Sequence, residues 1–314
     1  RFFLKKLLMT IPMLLFLSFI VFTALQFTGM DPVSYMVSPD MASSVNMDAM
    51  REALGLNRPF LVRYFSWLWG LCRGDFGYSL VQGVAISKLI GRYLPATFEI
   101  ALIALVLSTI LAIGLGYIAA VRQNTWVDYV CNVLGVVGIS IPQFFLAIFL
   151  VQVFALRLGW LPTGGRMVEG ATSFFARVPN LVLPVATMTL SLTAALMRYT
   201  RNSMLDVLGR DYIKTARSKG IPEWKVYIKH AFRNSLTPIL TLLCFRLPML
   251  IGGSVVIESV FGWPGIGSLV LTAVSSSDYP LILITTLMTA AMTMLASLLV
   301  DLLTAMLDPR VRLS

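Results

Sequence analysis

Residues 100–121 read Ile-Ala-Leu-Ile-Ala-Leu-Val-Leu-Ser-Thr-Ile-Leu-Ala-Ile-Gly-Leu-Gly-Tyr-Ile-Ala-Ala-Val, with no charged side chain among them. An α-helix needs about 20 mainly apolar residues to cross the hydrocarbon core of a bilayer. The stretch Ile100–Val121 therefore predicts a transmembrane helix. The whole chain has the same character, since 57% of its 314 residues are hydrophobic and 13% are charged. Such a composition excludes a soluble domain.

Five further stretches have the length and composition of membrane spans. They are Leu7–Phe27, Val130–Leu156, Val178–Met197, Leu236–Ile257 and Leu281–Val300. Across all six, the only Lys, Arg, Asp or Glu is Arg246 in the fifth. The alternating ten-residue segments of a membrane barrel are absent. The predicted fold class is an all-α polytopic membrane protein with six transmembrane helices.

The distribution of Lys and Arg predicts the orientation, because cytoplasmic loops are enriched in both. With the N-terminus inside, the inner side holds fifteen of the 25 basic residues, nine of them within Arg198–Arg233. The short outer loops hold three, namely Arg157, Arg166 and Arg177. Both termini are therefore predicted to be cytoplasmic. This asymmetry also accounts for the net charge of +10, so no nucleic-acid partner is expected.

The chain divides into three predicted regions. Residues 1–28 hold the N-terminus and first span, residues 29–95 form an extracytoplasmic segment between the first two spans, and residues 96–314 form the core with five spans and the basic loop 198–236. Within the extracytoplasmic segment, Met47–Leu54 and Phe60–Leu71 are predicted to be helical. The three cysteines are isolated from one another, which indicates neither a disulfide framework nor a zinc site.

Two residues within the predicted spans have open interpretations. Pro142 near the middle of the third span removes a backbone hydrogen bond and should kink the helix. Such a break either lines a transport pathway or is a purely structural kink. Arg246 either meets an anionic substrate group in a central passage or is a structural cation bonded to helix-end carbonyls.

The basic loop has an ordered pattern that topology alone does not require. Asp211–Ser218 is predicted to form a short helix, which Gly220 ends through its tolerance of a left-handed backbone. After Pro222, a second helical stretch is predicted over Glu223–Asn234. A helix, a glycine and a second helix form a rigid knob that fits a socket on a soluble protein. The single histidine, His230, is interpreted as a packing or hydrogen-bonding residue.

Catalytic motifs are missing from the sequence. It contains no Walker-type phosphate loop, no His-Glu-x-x-His and no Gly-x-Ser-x-Gly, so the chain is predicted not to be an enzyme. The acids Glu99, Glu258 and Asp301 stand at the ends of predicted spans. Ion-driven carriers commonly place carboxylates at mid-membrane. The sequence therefore predicts that the energy for transport comes from another subunit.

The basic loop resembles the EAA loop of ATP-binding-cassette importer permeases, in the form of the dipeptide, oligopeptide and nickel family. The pattern departs from E-A-A at Lys214 and Thr215, and Phe232 stands where the family has Leu. The residues that the resemblance implies for coupling to an ATPase are Tyr212, Lys214, Thr215, Ala216, Lys219, Gly220, His230, Arg233 and Asn234.

The resemblance extends along nearly the whole chain. Its other motifs are Leu54–Pro59, Gly74–Gly77, Leu94–Glu99, Glu258–Gly267, Asp278–Pro280 and Leu307–Arg312. Taken in order, they are similar to the first, B-type, permease subunit of such systems.

This resemblance implies an assembly in a bacterial or archaeal cytoplasmic membrane. The partners would be membrane lipid, a second homologous permease, two cytoplasmic ATP-binding subunits and an extracytoplasmic solute-binding protein. ATP and Mg would be bound by the ATPase subunits, with no cofactor or metal in this chain. The implied cargo is a di- or oligopeptide. The alternatives are nickel, a metal chelate or a glutathione-like solute and, in another class, an ion-coupled secondary carrier.

The stretch Phe261–Tyr279 has no Lys or Arg and is rich in Gly and Ser. We expect it to dip as irregular backbone into the outer mouth of the pathway, since such backbone survives at membrane depth only when protein or a watery cavity covers it. The alternative is a plain loop. The candidate pathway and gate residues are Pro142, Arg246, Glu258, Trp263, Pro264, Gly265 and Asp278.

Overall fold

The computed structural model describes residues 2–27, 33, 46–53, 55–166, 174–253 and 255–307, and nearly all of them are helical. The helices are α1 (Phe2–Phe27), α2 (Met47–Ala53), α3 (Phe60–Cys72), α4 (Ile86–Val121), α5 (Trp126–Ser140), α6 (Gln143–Leu150), α7 (Phe174–Leu208), α8 (Asp211–Ser218), α9 (Glu223–Lys225), α10 (Arg233–Gly253), α11 (Val255–Val260), α12 (Ile266–Ser275) and α13 (Tyr279–Leu307). Within the described residues, extended pairing is limited to one bridge between Tyr78 and Ala85. The motif stretch 308–312 and residue 54 lie outside them.

The all-helical class is confirmed, whereas the count of six spans is not. Four helices of the described chain are long and apolar enough to cross a membrane, namely α1, α4, α7 and α13. A fifth span results if α5 and the helix over Gln143–Arg157 count as one. The predicted fifth span is present as α10 and α11, which do not pass the same criterion.

Pro142 stands at a sharp break, as its chemistry predicts. The two helical segments on either side of it are bent by 102°. Pro142 has extended backbone angles and is the N-cap residue of α6, where its missing N–H costs no intrahelical hydrogen bond. Beyond α6 the chain continues as a π-helical turn over Val151–Arg157.

The chain forms two compact units. The first comprises Arg1–Ala96 with Pro264–Met294, and the second comprises Thr97–Trp263 with Leu295–Ser314. The core of the first unit joins three helices. Its buried members are Ile86 and Leu89 of α4, Ile266, Leu269 and Ala273 of α12, and Leu281 and Ile284 of α13.

The second unit packs α4, α5 and α10 around α7. Glycines permit the close contacts, as small residues commonly do between membrane helices. A Cβ added at Gly116 of α4 would lie 2.6 Å from the carbonyl oxygen of Met197 in α7. One added at Gly138 of α5 would lie 2.8 Å from the Cβ of Ala194. The face of α4 that carries Gly116 therefore packs directly on α7.

The stretch Phe261–Tyr279 is more regular than the sequence predicts. We expected irregular backbone, but residues Ile266–Ser275 form the apolar helix α12. Gly265 is its N-cap residue, and its carbonyl accepts a hydrogen bond from the hydroxyl of Ser268 at 2.7 Å. Hydroxyl groups that bond to their own helix in this way lower its apparent polarity, so the Ser content of this stretch was a misleading signal.

Candidate functional site

The C-terminal part of the basic loop, residues 211–236, begins with α8, whose bounds are those that the sequence predicts. Asp211 lies in the first turn of α8 and Arg217 in the last, so each charge suits the helix dipole. Lys214 forms a salt bridge with Asp211 at 2.8 Å, and the side chains of both residues are exposed. The hydroxyl of Thr215 donates to the carbonyl of Asp211 at 3.1 Å. These local bonds define a short, regular helix.

Gly220 ends α8 in a left-handed conformation with φ of 75°, as predicted. Its N–H donates to the carbonyl of Arg217 at 2.9 Å, and the N–H of Lys219 donates to that of Thr215. Beyond the turn, the Arg217 guanidinium donates to the Glu223 carboxylate at 2.8 and 3.3 Å. This guanidinium holds the pKa of Glu223 below its ordinary value and thereby keeps the pair charged.

One face of the loop is anchored in the core of the second unit. Six buried residues form this cluster, namely Ala120 of α4, Met204 of α7, Ile213 and Ala216 of α8, and Val226 and Ala231 beyond Pro222. The ring of Phe232 meets that of Tyr117 of α4 edge-on, with 5.7 Å between the centroids. The loop therefore lies against the ends of two long membrane helices as a packed element.

The opposite face of the loop is exposed and contains large apolar side chains. Tyr212 is 45% exposed, Trp224 61% and Ile228 52%. The ammonium group of Lys225 lies 5.3 Å from the centre of the Trp224 ring. Exposed aromatic side chains among charges are typical of a protein-binding surface. We call Tyr212, Trp224 and Ile228 the exposed triplet.

The other predicted coupling residues have varied environments. Lys219, Arg233 and Asn234 are exposed, and His230 is half-buried. The side-chain amide of Asn234 donates to the carbonyl of His230 at 2.6 Å. Glu223 begins a second helix as predicted, although residues Val226–Phe232 follow a π-helical path. Trp224 and Ile228 were not predicted as functional residues. Their importance depends on their exposure in the folded loop, which the sequence alone does not show.

Two of the predicted pathway residues lie in spans of the second unit. Arg246 of α10 is 9% exposed, and its guanidinium donates to the carbonyl oxygen of Leu192 in α7. Pro142 lies at the break described above. No described group of three or more His, Cys, Asp or Glu side chains is arranged to hold a metal ion.

Glu258 of α11 is fully buried and accepts a hydrogen bond from the hydroxyl of Thr97 at 2.7 Å. The carbonyl of Glu258 accepts from the N–H of Trp263, also fully buried, at 2.8 Å. Pro264 and Gly265 follow and lead into α12. Both the carboxylate and the backbone carbonyl of Glu258 therefore have structural partners.

The ion pairs of Glu99 were not predicted from the sequence. Glu99 accepts from Arg166 at 2.8 Å and pairs with Arg177 at 3.4 Å. The side-chain amide of Asn180 donates to the carbonyls of Gly164 and Gly165. The N–H of Gly165 donates to the carbonyl of Phe261 at 2.7 Å. These bonds fix the segment after α6 against three other parts of the second unit.

Asp278 is fully buried in the first unit, where it joins α13 to the turn after Gly77. Its carboxylate accepts hydrogen bonds from the Ser79 hydroxyl and from the N–H groups of Leu80 and Val81 at 3.2 and 3.4 Å. It also accepts from the N–H of Leu281 in the first turn of α13 at 3.4 Å. Asp278 therefore caps a helix and holds a turn at once.

Asp128 and Arg201 form an ion pair that the sequence did not reveal. The guanidinium of Arg201 in α7 donates to both carboxylate oxygens of Asp128 in α5, at 2.5 and 2.7 Å. Asn132 donates to the same carboxylate at 2.9 Å. The two partners are 73 residues apart, so no local signal could pair them.

This architecture defines a class, namely a polytopic helical membrane subunit with an anchored helical loop. The family comparison is specific: the chain belongs to the binding-protein-dependent transport system inner membrane components, whose model matches residues 112–313. The corresponding N-terminal model matches residues 1–101. The chain is therefore a non-catalytic, multi-pass permease subunit of an ATP-binding-cassette importer of the inner membrane. Members depend on a binding protein, as the family description says.

Individual relatives agree with the family assignment. The oligopeptide transport system permease protein AppB of Bacillus subtilis is 37% identical over 98% of both chains. The glutathione transport system permease protein GsiC of Shigella flexneri is 36% identical over 98% of this chain and 97% of its own. A crystal structure of an amino acid ABC transporter with histidines superposes with a TM-score of 0.53 and 16% identity, covering 69% of this chain and 94% of that one. This last likeness supports the fold alone.

Proposed function

We propose that this permease subunit carries di- or oligopeptides and that the basic loop couples it to ATP-hydrolysing subunits. Relatives named for peptides or oligopeptides are 37–38% identical over nearly the full length. The working assembly would contain a second, homologous permease, two cytoplasmic ATP-binding subunits that bind ATP and Mg, and an extracytoplasmic binding protein. Both termini would be cytoplasmic, residues 29–95 extracytoplasmic, and residues 96–314 the core.

The two-sided packing of the basic loop is the observation that carries the coupling proposal. Its buried side, including Ile213 and Ala216, packs with Ala120 of α4 and Met204 of α7. Its exposed side presents the exposed triplet. A force applied to the exposed side is therefore transmitted to two membrane helices through close packing, which resists compression. ATP-driven closure of the partner subunits would rock these helices between outward- and inward-facing states.

Truncation of two members of the exposed triplet tests the coupling proposal. We expect Trp224→Ala with Tyr212→Ala to lower transport and stimulated ATP hydrolysis at least about tenfold, because buried aromatic anchors dominate protein interfaces. The measurement is peptide uptake and ATPase activity of the full importer in proteoliposomes. The variant should still insert and fold, since both side chains are exposed.

The matched control is Trp126→Ala, which removes an equally large side chain that is 74% exposed and lies on α5 rather than on the loop. This control should keep its activity. Full ATPase stimulation and uptake in the double variant would contradict the coupling proposal.

Glutathione-like cargo is the second candidate, and the relative GsiC is the observation that favours it. A glutathione-like solute is itself a small peptide, so both candidates require recognition of backbone amides and carboxylates. Competition between labelled tripeptides and glutathione for uptake by the full importer separates the two.

We also infer an outer gate around the stretch Phe261–Tyr279. Support comes from the complete burial of Trp263 and from the apolar helix α12 that follows Gly265. A short buried helix of this kind suits an element that covers a pathway from one side. The residues assigned to it are Glu258, Trp263, Pro264, Gly265 and Asp278, with Pro142 at the break between α5 and α6.

A further inference from the structure

We infer that Arg246 and the adjoining open face of α7 form a binding site for the carboxylate of the cargo. This inference rests on the proposed peptide function, because every unmodified peptide ends in a carboxylate. It is based on the depth of Arg246, on its neighbours, and on the part of α7 that no other described helix covers.

Arg246 occupies the middle of its span. It lies ten residues beyond Leu236, or about 15 Å along a helix. Ionisable residues at such depth face the interior of the bundle or a water-filled cavity, because lipid cannot solvate them. A guanidinium has five N–H donors. Among the described residues, its hydrogen-bond partner is the carbonyl oxygen of Leu192, which leaves donors available for a ligand.

Within the described part of the chain, Arg246 takes part in none of the salt bridges. The described residues of α10 include no Asp or Glu. The acid on α7 is Asp206, which lies 14 residues beyond Leu192, about 21 Å along the helix. A buried cation without a carboxylate partner is costly. An anion that reaches it gains a charge-assisted, bidentate hydrogen bond in return.

The face of α7 beside Leu192 is open in the second unit. With 100° between successive residues, Ser191, Ala195, Arg198, Tyr199 and Asn202 fall within about 100° of arc. All but the half-buried Ser191 are exposed. We call these five residues the open arc. Four of its members, all but Ala195, carry polar side-chain groups. Three of these, Arg198, Tyr199 and Asn202, lie beyond the predicted end of the fourth span at Met197, so the arc runs from the depth of Arg246 toward the predicted cytoplasmic side.

The neighbouring helices of the second unit cover the other sides of α7. Gly116 of α4 approaches Met197 and Thr200, and Gly138 of α5 approaches Ala194. Ser235 of α10 donates to Met204. Gly135 of α5 also approaches the aliphatic part of Arg198. Helix α5 therefore borders the open arc at Arg198, and Arg246 reaches α7 near the opposite edge, at Leu192.

The charge of the site determines its ligand. Arg246 and Arg198 are both cationic, and the acid of α7 is distant from Leu192, so the site favours a carboxylate over an ammonium group. The peptide would pass with its carboxylate held by Arg246 and its backbone along the open arc. Arg246 is then a specificity-determining residue of the pathway.

The test compares two tripeptides that differ only in the last group, a free carboxylate or a carboxamide. Uptake is measured for the full importer in proteoliposomes at concentrations that saturate the binding protein for each peptide. We expect the wild type to favour the free acid. Arg246→Gln keeps an N–H donor for the Leu192 carbonyl but loses the charge, so the preference should fall about tenfold. Arg246→Lys should retain most of it.

Arg157→Gln is the control, since it removes one positive charge from an exposed position outside the arc and should leave the preference unchanged. An unaltered preference in Arg246→Gln would overturn the inference, as would equal loss for both peptides, which indicates a structural role. Release of the second permease from the Arg246→Gln complex would also overturn it, because Arg246 would then bind that subunit. Absence of uptake of any peptide by the wild type would instead contradict the proposed function.

Discussion

The basic loop and the stretch from Glu258 to Asp278 both carry motifs of the family, but the loop has exposed aromatic side chains beside its buried anchors Ile213 and Ala216. In the loop, Tyr212 is 45% and Trp224 61% exposed. In the other stretch, Glu258, Trp263 and Asp278 are all 0% exposed. An exposed side chain of a motif is available to a partner, whereas a fully buried one also contributes to the stability of the fold. Family motifs in one chain can thus serve recognition and structure separately.

This comparison predicts different failures in the two regions. Changes in the buried stretch should unfold the permease or prevent its assembly. Changes in the exposed triplet should leave a stable protein that is uncoupled from ATP hydrolysis.

The largest expected effect is that of Trp263→Ala. The Trp263 side chain is fully buried, and removal of a buried aromatic ring costs about 3–5 kcal/mol. We expect a marked loss of thermal stability for the purified protein in detergent. The change in intrinsic fluorescence on heating measures this loss.

Trp224→Ala is the matched control for this experiment. Its indole is 61% exposed, and surface substitutions usually alter stability by less than about 0.5 kcal/mol. Equal stability losses in the two Trp variants would contradict the division into a buried and an exposed motif.

The next effect concerns the Asp278 carboxylate. Asp278→Ala leaves the buried N–H of Leu281 without its acceptor and removes the bonds from Ser79 and Leu80. An unsatisfied buried donor costs about 1–3 kcal/mol, so we expect a loss of stability in that range. Thermal unfolding measures it.

The isosteric variant Asp278→Asn keeps one oxygen acceptor and should lose less stability than Asp278→Ala. Asp206→Ala removes an exposed carboxylate and should have no comparable effect. If Asp278→Ala unfolds at the same temperature as the wild type, the hydrogen bonds of the Asp278 carboxylate do not stabilise the first unit.

Local signals in the sequence predicted the loop well. Gly220 and Pro222 fix the end of α8 and the start of α9 through backbone constraints of single residues. The same holds for Pro142 at the break between α5 and α6. Such features depend on nearest neighbours in the chain, so no knowledge of packing is needed.

Helix lengths were predicted less well. The second predicted span began at Ile100, but α4 begins at Ile86; the fourth ended at Met197, but α7 ends at Leu208. Hydropathy identifies the part of a helix that suits lipid, whereas the helix itself continues through polar residues as far as packing supports it.

Contacts between distant residues could not be predicted at all. The pair of Asp128 and Arg201 and the bond from Ser79 to Asp278 join residues 73 and 199 positions apart. The exposure of Trp224 likewise depends on the packing of the whole loop. Tertiary structure alone distinguishes anchors such as Ile213 from the exposed triplet.

The smallest expected effect is that of Glu223→Gln within the exposed loop. The Arg217 guanidinium lowers the pKa of Glu223, so the folded protein binds fewer protons there than the unfolded chain. The pair therefore stabilises the loop above the ordinary pKa of Glu, about 4.3. This contribution is lost as the pH falls through the lowered pKa of the folded state. Both side chains are exposed, 41% for Arg217 and 53% for Glu223, so it amounts to about 0.5 kcal/mol.

Thermal unfolding of the wild type and of Glu223→Gln at a series of pH values from neutral to acid measures this contribution. The variant should be slightly less stable at pH 7, and the two proteins should become equal in acid. Glu52→Gln, which removes an exposed carboxylate that forms no salt bridge with a described residue, should show no such convergence. A difference between wild type and Glu223→Gln that grows on acidification would have the wrong sign for a lowered pKa. Equal stability of the two proteins at every pH would show that the turn after Gly220 is held by packing of Ile213 and Val226 without the ion pair.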